Sequence, residues 1–239
     1  LLLLAELDAR GAQAELAQQM NDLSLAADCL AALLKQSPDD VDARLTLAGF
    51  LIDQGAAAGA LTVLDDVPPL PAADARILKL RTRAHVQLRQ WESARQYSAM
   101  AVDIAPADAQ ALFWHGTVLS HVGEVETALS FLNRALILSP NHAEAAYNAG
   151  VILFELGSHA DAEKVFRRAL GTEAAQAAHL RLLHLLRSMG RQNDWHAEAL
   201  RFVNTYVGLE RSRFIESRIA RHDGNLEHEA KILLPLAEQ

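Results

Sequence analysis

Residues 109–142 read AQALFWHGTVLSHVGEVETALSFLNRALILSPNH, and residues 143–176 read AEAAYNAGVILFELGSHADAEKVFRRALGTEAAQ. Laid one under the other, the two stretches place small residues alike: Gly116 with Gly150, Gly123 with Gly157, Ala128 with Ala162, and Ala135 with Ala169. Each pair is 34 residues apart. Working backwards, Ala94 and Ala101 precede Ala128 and Ala135 by the same step, and Ala60 and Ala26 extend the first alanine series. Pro106 precedes Pro140, Pro38 lies two periods before Pro106, and Gly55 lies two periods before Gly123. A fixed period of this length marks an array of like repeats, each too small to bury its own apolar face and stacked on its neighbours.

Each repeat reads as two antiparallel helices. In 109–142 the first carries Ala111, Leu112, His115, Gly116, Val118 and Leu119 at helical spacing. Gly123 ends it, because glycine tolerates the left-handed cap that stops a helix. The second carries Val125, Ala128, Leu129, Leu132, Ala135 and Leu136, and Ser139-Pro140-Asn141 closes the repeat. Proline cannot continue a helix but suits the first turn of the next one. Small residues recur where two helices approach closely, and large ones where a gap must be filled.

This pattern resembles the tetratricopeptide repeat, with Gly150, Ala162, Phe166, Ala169 and the preceding Pro140 as the best match. Leu78, Leu112 and Ala146 stand where that family has a large aromatic early in the first helix, and Thr82 replaces its small residue in the third repeat. The resemblance implies an all-α, right-handed α-solenoid of antiparallel helix pairs, a single array over residues 1–239. Its repeats would span 7–40, 41–74, 75–108, 109–142, 143–176 and 177–210, the last with a turn displaced by Gly190. Residues 211–239, split by Asp223-Gly224-Asn225, read as polar capping helices. Pro68-Pro69-Leu70-Pro71 reads as a stiff break between the second and third repeats.

Composition narrows function. The net charge is −8 over 239 residues, which argues against nucleic acid and against anionic membrane, since both need a cationic face. The run Leu1–Leu4 is too short to span a bilayer, so direct membrane insertion is not expected. Cys29 is the one cysteine. It permits no internal disulfide and reads as a small buried hydrophobe. That fits the cytoplasm and does not argue against the periplasm.

Nothing reads as a catalytic or metal site, and no cofactor is implied. His115 and His121 lie six residues apart and His179 and His184 five, neither of which shares a helix face well. His228-Glu229 opens like a zinc motif, but Ile232 stands where the second histidine belongs. Asp39-Asp40 and Asp65-Asp66 read as helix caps and not as a proton-transfer pair. There is no phosphate loop or nucleophile elbow.

In the resembled family, first helices line the inner face and ligand contacts fall on positions that packing leaves free. Carried across, these are Arg76, Lys79 and Arg83 in the third repeat, then Phe113, Trp114, Thr117 and His121 in the fourth. The fifth offers Tyr147, Asn148, Val151, Phe154 and Glu155, and the sixth Arg181 and Leu182. Aromatic residues and arginine are the types enriched at binding hot spots. The expected partner is therefore a protein or peptide with acidic residues near the third repeat and apolar ones near the fourth and fifth. The family's clamp for chaperone tails does not carry over, because Arg83 and Trp114 replace its asparagines. Two other readings stand beside the scaffold. One is a recruiting arm of a larger enzyme such as a transferase. The other is a self-associating array in which Leu1–Leu4 dock on another copy.

Overall fold

A computed structural model describes residues 23–67, 74–171, 174–206 and 210–222. Leu1–Leu4, the Pro68-Pro69-Leu70-Pro71 break, Asp223-Gly224-Asn225 and the capping residues after 222 lie outside the described residues. The described residues form twelve helices and no strand. They are α1 (Leu23–Gln36), α2 (Val41–Asp53), α3 (Ala57–Asp65), α4 (Ala75–Gln87), α5 (Trp91–Ile104), α6 (Ala109–His121), α7 (Val125–Leu138), α8 (Ala143–Glu155), α9 (His159–Ala169), α10 (Ala175–Ser188), α11 (Gln192–Thr205) and α12 (Glu210–His222). They fall into two lobes divided between Ser139 and Pro140, the first holding α1–α7 and the second α8–α12.

Local chemistry sets the ends of the helices. Asp40, Asp74 and Asp108 are one period apart, and each caps a first helix by accepting from backbone amides: Ala43 N, Arg76 N, and Gln110 N with Ala111 N. His142 takes the same place before α8, its Nδ1 accepting from Ala145 N. Loss of such a cap costs about 1 kcal/mol.

The turns inside the helix pairs are residues 54–56, 88–90, 122–124, 156–158 and 189–191. Each contains a residue with positive φ: Gly55, Arg89, Gly123, Gly157 and Gly190. The next amide then reaches five residues back, as Glu124 N does to Leu119 O at 2.9 Å, satisfying a helix-end carbonyl. Arg89, at φ 55°, is the exception to glycine.

Packing explains the small residues. A Cβ on Gly150 would lie 2.6 Å from the Phe166 ring, and one on Gly116 would lie 2.9 Å from Leu132 Cγ. Ala94, Ala128 and Ala162 are fully enclosed. In the third repeat the sizes shift. Thr82 is buried where Gly116 and Gly150 stand one and two periods on, and Ser98 is buried where Leu132 and Phe166 stand. His115 reaches Ser98 Oγ with Nδ1 at 2.9 Å and packs edge-on against Phe131. Burial holds the His115 imidazole below its ordinary 6.5, so it stays neutral there. Cys29 is half-buried, packed against the cluster of Ala26, Ala27 and Leu30, and not enclosed as its sequence context suggested.

In the second lobe a polar chain ties α9, α10 and α11 together. Glu198, 3% exposed, receives Arg167 at 2.9 Å and lies 3.1 Å from His179 Nε2. Glu163 receives Arg167 at 3.0 Å and also Arg191. Burial pushes the Glu163 carboxyl up, but the two guanidiniums outweigh it and hold the group below its usual range.

Among the described residues each helix of a lobe packs on the next. First helices also pack on one another, α2 on α4, α4 on α6, and α8 on α10. No contact joins α3 to α5, α5 to α7, or α9 to α11. First helices therefore lie closer together than second helices and make the inner face of each lobe. No helix among the described residues is long and apolar enough to cross a membrane.

Candidate partner-binding face

In the first lobe the inner face carries Arg76, Lys79 and Arg83 along α4, and all three are already engaged. Arg76 meets Asp74 and Asp42, each at 2.7 Å. Lys79 Nζ donates to Asp108 Oδ2, and Arg83 donates to Asp53. Two of these partners, Asp74 and Asp108, are helix caps, so the same carboxylates close a helix and neutralise a cation. The Arg76 hydrogen bond holds the Asp74 carboxyl below its usual range. Burial pushes Asp108 up, and the bond and charge of Lys79 bring it below its usual range. The stripe expected to attract an acidic partner is thus matched by the fold's own aspartates, one of them, Asp42, a full period from Arg76.

The aromatic half of this lobe also differs from expectation. Phe113 and Thr117, at 5% and 8% exposed, sit inside a helix whose residues from Ala111 to Leu119 are buried except for Trp114. They offer a partner almost no surface. Trp114 is half-buried, with the Arg83 guanidinium 5.9 Å from its ring centroid and its indole N–H enclosed without an acceptor. His121 is exposed at the end of α6, stacked on Trp91 at 4.3 Å. Its Nδ1 lies 2.9 Å from the Thr117 carbonyl and so carries the proton.

The second lobe keeps more of its inner face open. Tyr147 on α8 and Arg181 on α10 are one period apart. The guanidinium Nε donates to the phenol oxygen at 3.0 Å, and Cζ lies 5.8 Å from the ring centroid. Arg181 is exposed and meets no carboxylate among the described residues. Half-buried Phe154 packs edge-on against His184, ring centroids 5.3 Å apart. Asn148 and Val151 are half-buried on the same helix, and Glu155 is exposed. Leu182 is fully enclosed and belongs to the core. The reason is Gly190, one residue early against the period, which turns α10 so that His184 and Arg187 face outward instead. Those two were missed in the sequence, although the displaced glycine was the available sign. No group of three or more His, Cys, Asp or Glu among the described residues is arranged to hold a metal ion.

Family profiles described as tetratricopeptide repeat match residues 3–84, 80–143 and 122–178. The chain belongs to the tetratricopeptide repeat family. No curated protein matches the sequence significantly. Among solved structures, a tetratricopeptide repeat protein from Parabacteroides merdae has TM-score 0.67 at 14% identity, covering 96% of this chain and 91% of its own. The Pseudomonas aeruginosa pilF structure has TM-score 0.68 at 17% identity, covering 90% and 99%. YrrB, described as a TPR protein with an unusual peptide-binding site, has TM-score 0.52 at 21% identity, covering 70% and 87%. Tetratricopeptide repeats are protein-interaction modules, and these likenesses show the fold of the array.

Proposed function

We propose that this protein is an interaction scaffold that holds a partner peptide on the inner face of its second lobe. Tyr147, Phe154 and Arg181 make the main contacts, with Asn148 beside them. The observation that carries this is the Tyr147–Arg181 pair. It sets a rigid aromatic ring against an exposed guanidinium that no carboxylate among the described residues neutralises. Such a pair recognises an apolar side chain next to a carboxylate, because ring burial supplies stability and the guanidinium supplies direction. In the first lobe Arg76, Lys79 and Arg83 hold the repeats together. The peptide-binding site named for YrrB is a precedent within the family.

Selection from a random-peptide display library tests the reading. The enriched peptides should pair acidic with aromatic or aliphatic residues. Tyr147→Ala and Arg181→Glu should each weaken them at least about tenfold, or 1.4 kcal/mol, without moving the melting temperature. Enrichment of basic peptides, or binding indifferent to both substitutions, would contradict it.

A further inference from the structure

Helix α10 turns Arg181, His184 and Arg187 outward, and all three are exposed. Residues at i and i+3 are neighbours on a helix surface, so the three make one row that rises about 4.5 Å per step. Leu182, Leu183, Leu185 and Leu186 between them are buried and fasten the row to the core. Helix α8 supplies the facing wall. Tyr147, Val151 and Phe154, at i, i+4 and i+7, form a half-buried apolar stripe. Arg181 bonds to Tyr147, and His184 packs edge-on against Phe154 with ring centroids 5.3 Å apart. The groove between the two helices thus has an apolar side and a basic side.

The basic side is unmatched. Arg181, His184 and Arg187 meet no carboxylate among the described residues, in a chain with 30 acidic and 22 basic residues. The ring nitrogens of His184 make no hydrogen bond there. On α8, Glu155 follows Phe154 but makes no ion pair with His184. On α9, His159 lies 5.5 Å from the far side of the Phe154 ring. On α11, Trp195 lines a recess with His184, and Asp194 is held by Arg191. On α12, Arg218 lines the same recess and packs on Phe214. His184 therefore sits between guanidiniums, with no acid of the fold paired to it.

We propose that this row takes the alternate carboxylates of an extended partner segment whose other side chains are apolar, and that His184 makes the grip depend on pH. This rests on the reading of the second lobe as a peptide-binding scaffold, and it adds the spacing of the acids and a control by pH. An extended chain rises about 3.3 Å per residue and points successive side chains to opposite sides, so acids at alternate positions fall about 6.6 Å apart. That matches a row about 9 Å long, while the residues between the acids turn toward the α8 stripe. Histidine is the side chain that changes charge between pH 5 and pH 8. Neutral, His184 only adds a ring beside Phe154. Protonated, it is a third cation between two guanidiniums, so an acidic segment is held more tightly as the pH falls.

The probe is acetyl-Leu-Glu-Phe-Glu-Leu-Glu amide, with acetyl-Leu-Gln-Phe-Gln-Leu-Gln amide as its uncharged counterpart. Binding to the full chain is followed at pH 6 and pH 8 through the NMR signals of the Tyr147 ring, assigned with Tyr147→Phe. The glutamate peptide should bind at least about threefold more tightly at pH 6, because one added charge contact near water changes affinity a few-fold. The glutamine peptide should show no such gain. His184→Gln should abolish the gain, and His184→Lys should give the tighter binding at both pH values. His159→Gln should leave the gain in place.

A gain shared by the glutamine peptide, a gain that survives His184→Gln, or no shift of the Tyr147 signals at saturation overturns the proposal. Tyr147 signals that move on dilution without peptide would give the row to a second copy. Movement on Glu227→Gln or Glu229→Gln without peptide would give it to the chain's own last residues. Either result also overturns the proposal. Library-selected peptides that need Arg181 but bind alike at both pH values and in His184→Gln sink the pH control and leave the scaffold reading standing. A His184-dependent gain with binding indifferent to Tyr147→Ala keeps the row and sinks Tyr147 as an anchor.

Discussion

Helices α4 and α10 are both first helices, and both carry several basic residues on the inner face, yet their charges have opposite fates. On α4, Arg76, Lys79 and Arg83 each meet an aspartate of the same lobe. On α10, Arg181 rests on a tyrosine and Arg187 meets no acid among the described residues. A basic stripe is therefore not by itself a binding site. In a repeat protein its partner can lie in the preceding or following repeat, as Asp42 lies 34 residues from Arg76, Asp108 29 from Lys79 and Asp53 30 from Arg83. The cations that remain for a ligand are those that no carboxylate of the fold reaches, as for Arg181 and Arg187 among the described residues.

The comparison breaks most visibly inside α10. His179 on its inner side meets Glu198, which also receives Arg167. Glu198→Ala would leave that guanidinium, 38% exposed, with Glu163 alone and should cost about 2 kcal/mol, below the scale for stranding a fully buried charge. Urea unfolding measures it. A loss below about 1 kcal/mol would mean that the network does not fasten α10, and that its outer arginines are not held in place by it.

A smaller effect comes from pH. Burial depresses both His115 and His179 below the ordinary 6.5, and the unfolded chain binds those protons more readily. Stability from these groups is complete above about pH 6.5 and falls as the pH drops toward their folded values. Melting temperature should decline between pH 7 and pH 5, with a shallower slope in His115→Gln and in His179→Gln. An unchanged slope in both variants would show that neither ring is buried in its neutral form.

The smallest effect lies at the end of α4. Arg89 occupies the left-handed position that glycine fills in the other turns. A side chain there costs roughly 1–2 kcal/mol, and glycine's extra freedom in the unfolded chain takes back roughly 0.5–1 kcal/mol. Arg89→Gly should therefore stabilise by about 0.5 kcal/mol without changing peptide binding. Destabilisation would give Arg89 a role that its backbone does not reveal.

The all-α array of helix pairs was legible because a period states which positions are equivalent. Gly116 and Gly150 needed no structure to be recognised as close contacts. A period does not state how far each helix is rotated about its axis, and Phe113 and Thr117 were misplaced for that reason. Leu182 was misread because Gly190 shifts the register by one residue, which also hid His184 and Arg187. The neutralised α4 stripe had a sign in the sequence, since Asp40, Asp74 and Asp108 form a series one period apart. That series reads as caps, and nothing in linear order says that Lys79 reaches forward to the cap of the following repeat. Tyr147 and Arg181 were each legible as inner-face candidates, but their contact was not read from the sequence.

The central claim is that the cations of α10 are available to a partner and those of α4 are not. Calorimetric titration of a library-selected acidic and apolar peptide against Arg181→Ala and Arg83→Ala, at low and high salt, tests it most directly. Arg181→Ala should weaken binding about tenfold at low salt. That gap should narrow as added ions screen charge beyond a Debye length, roughly 8 Å at physiological ionic strength. Arg83→Ala should stay within about twofold of the parent, because its charge is already matched by Asp53. A loss for Arg83→Ala equal to or greater than that for Arg181→Ala would contradict the account.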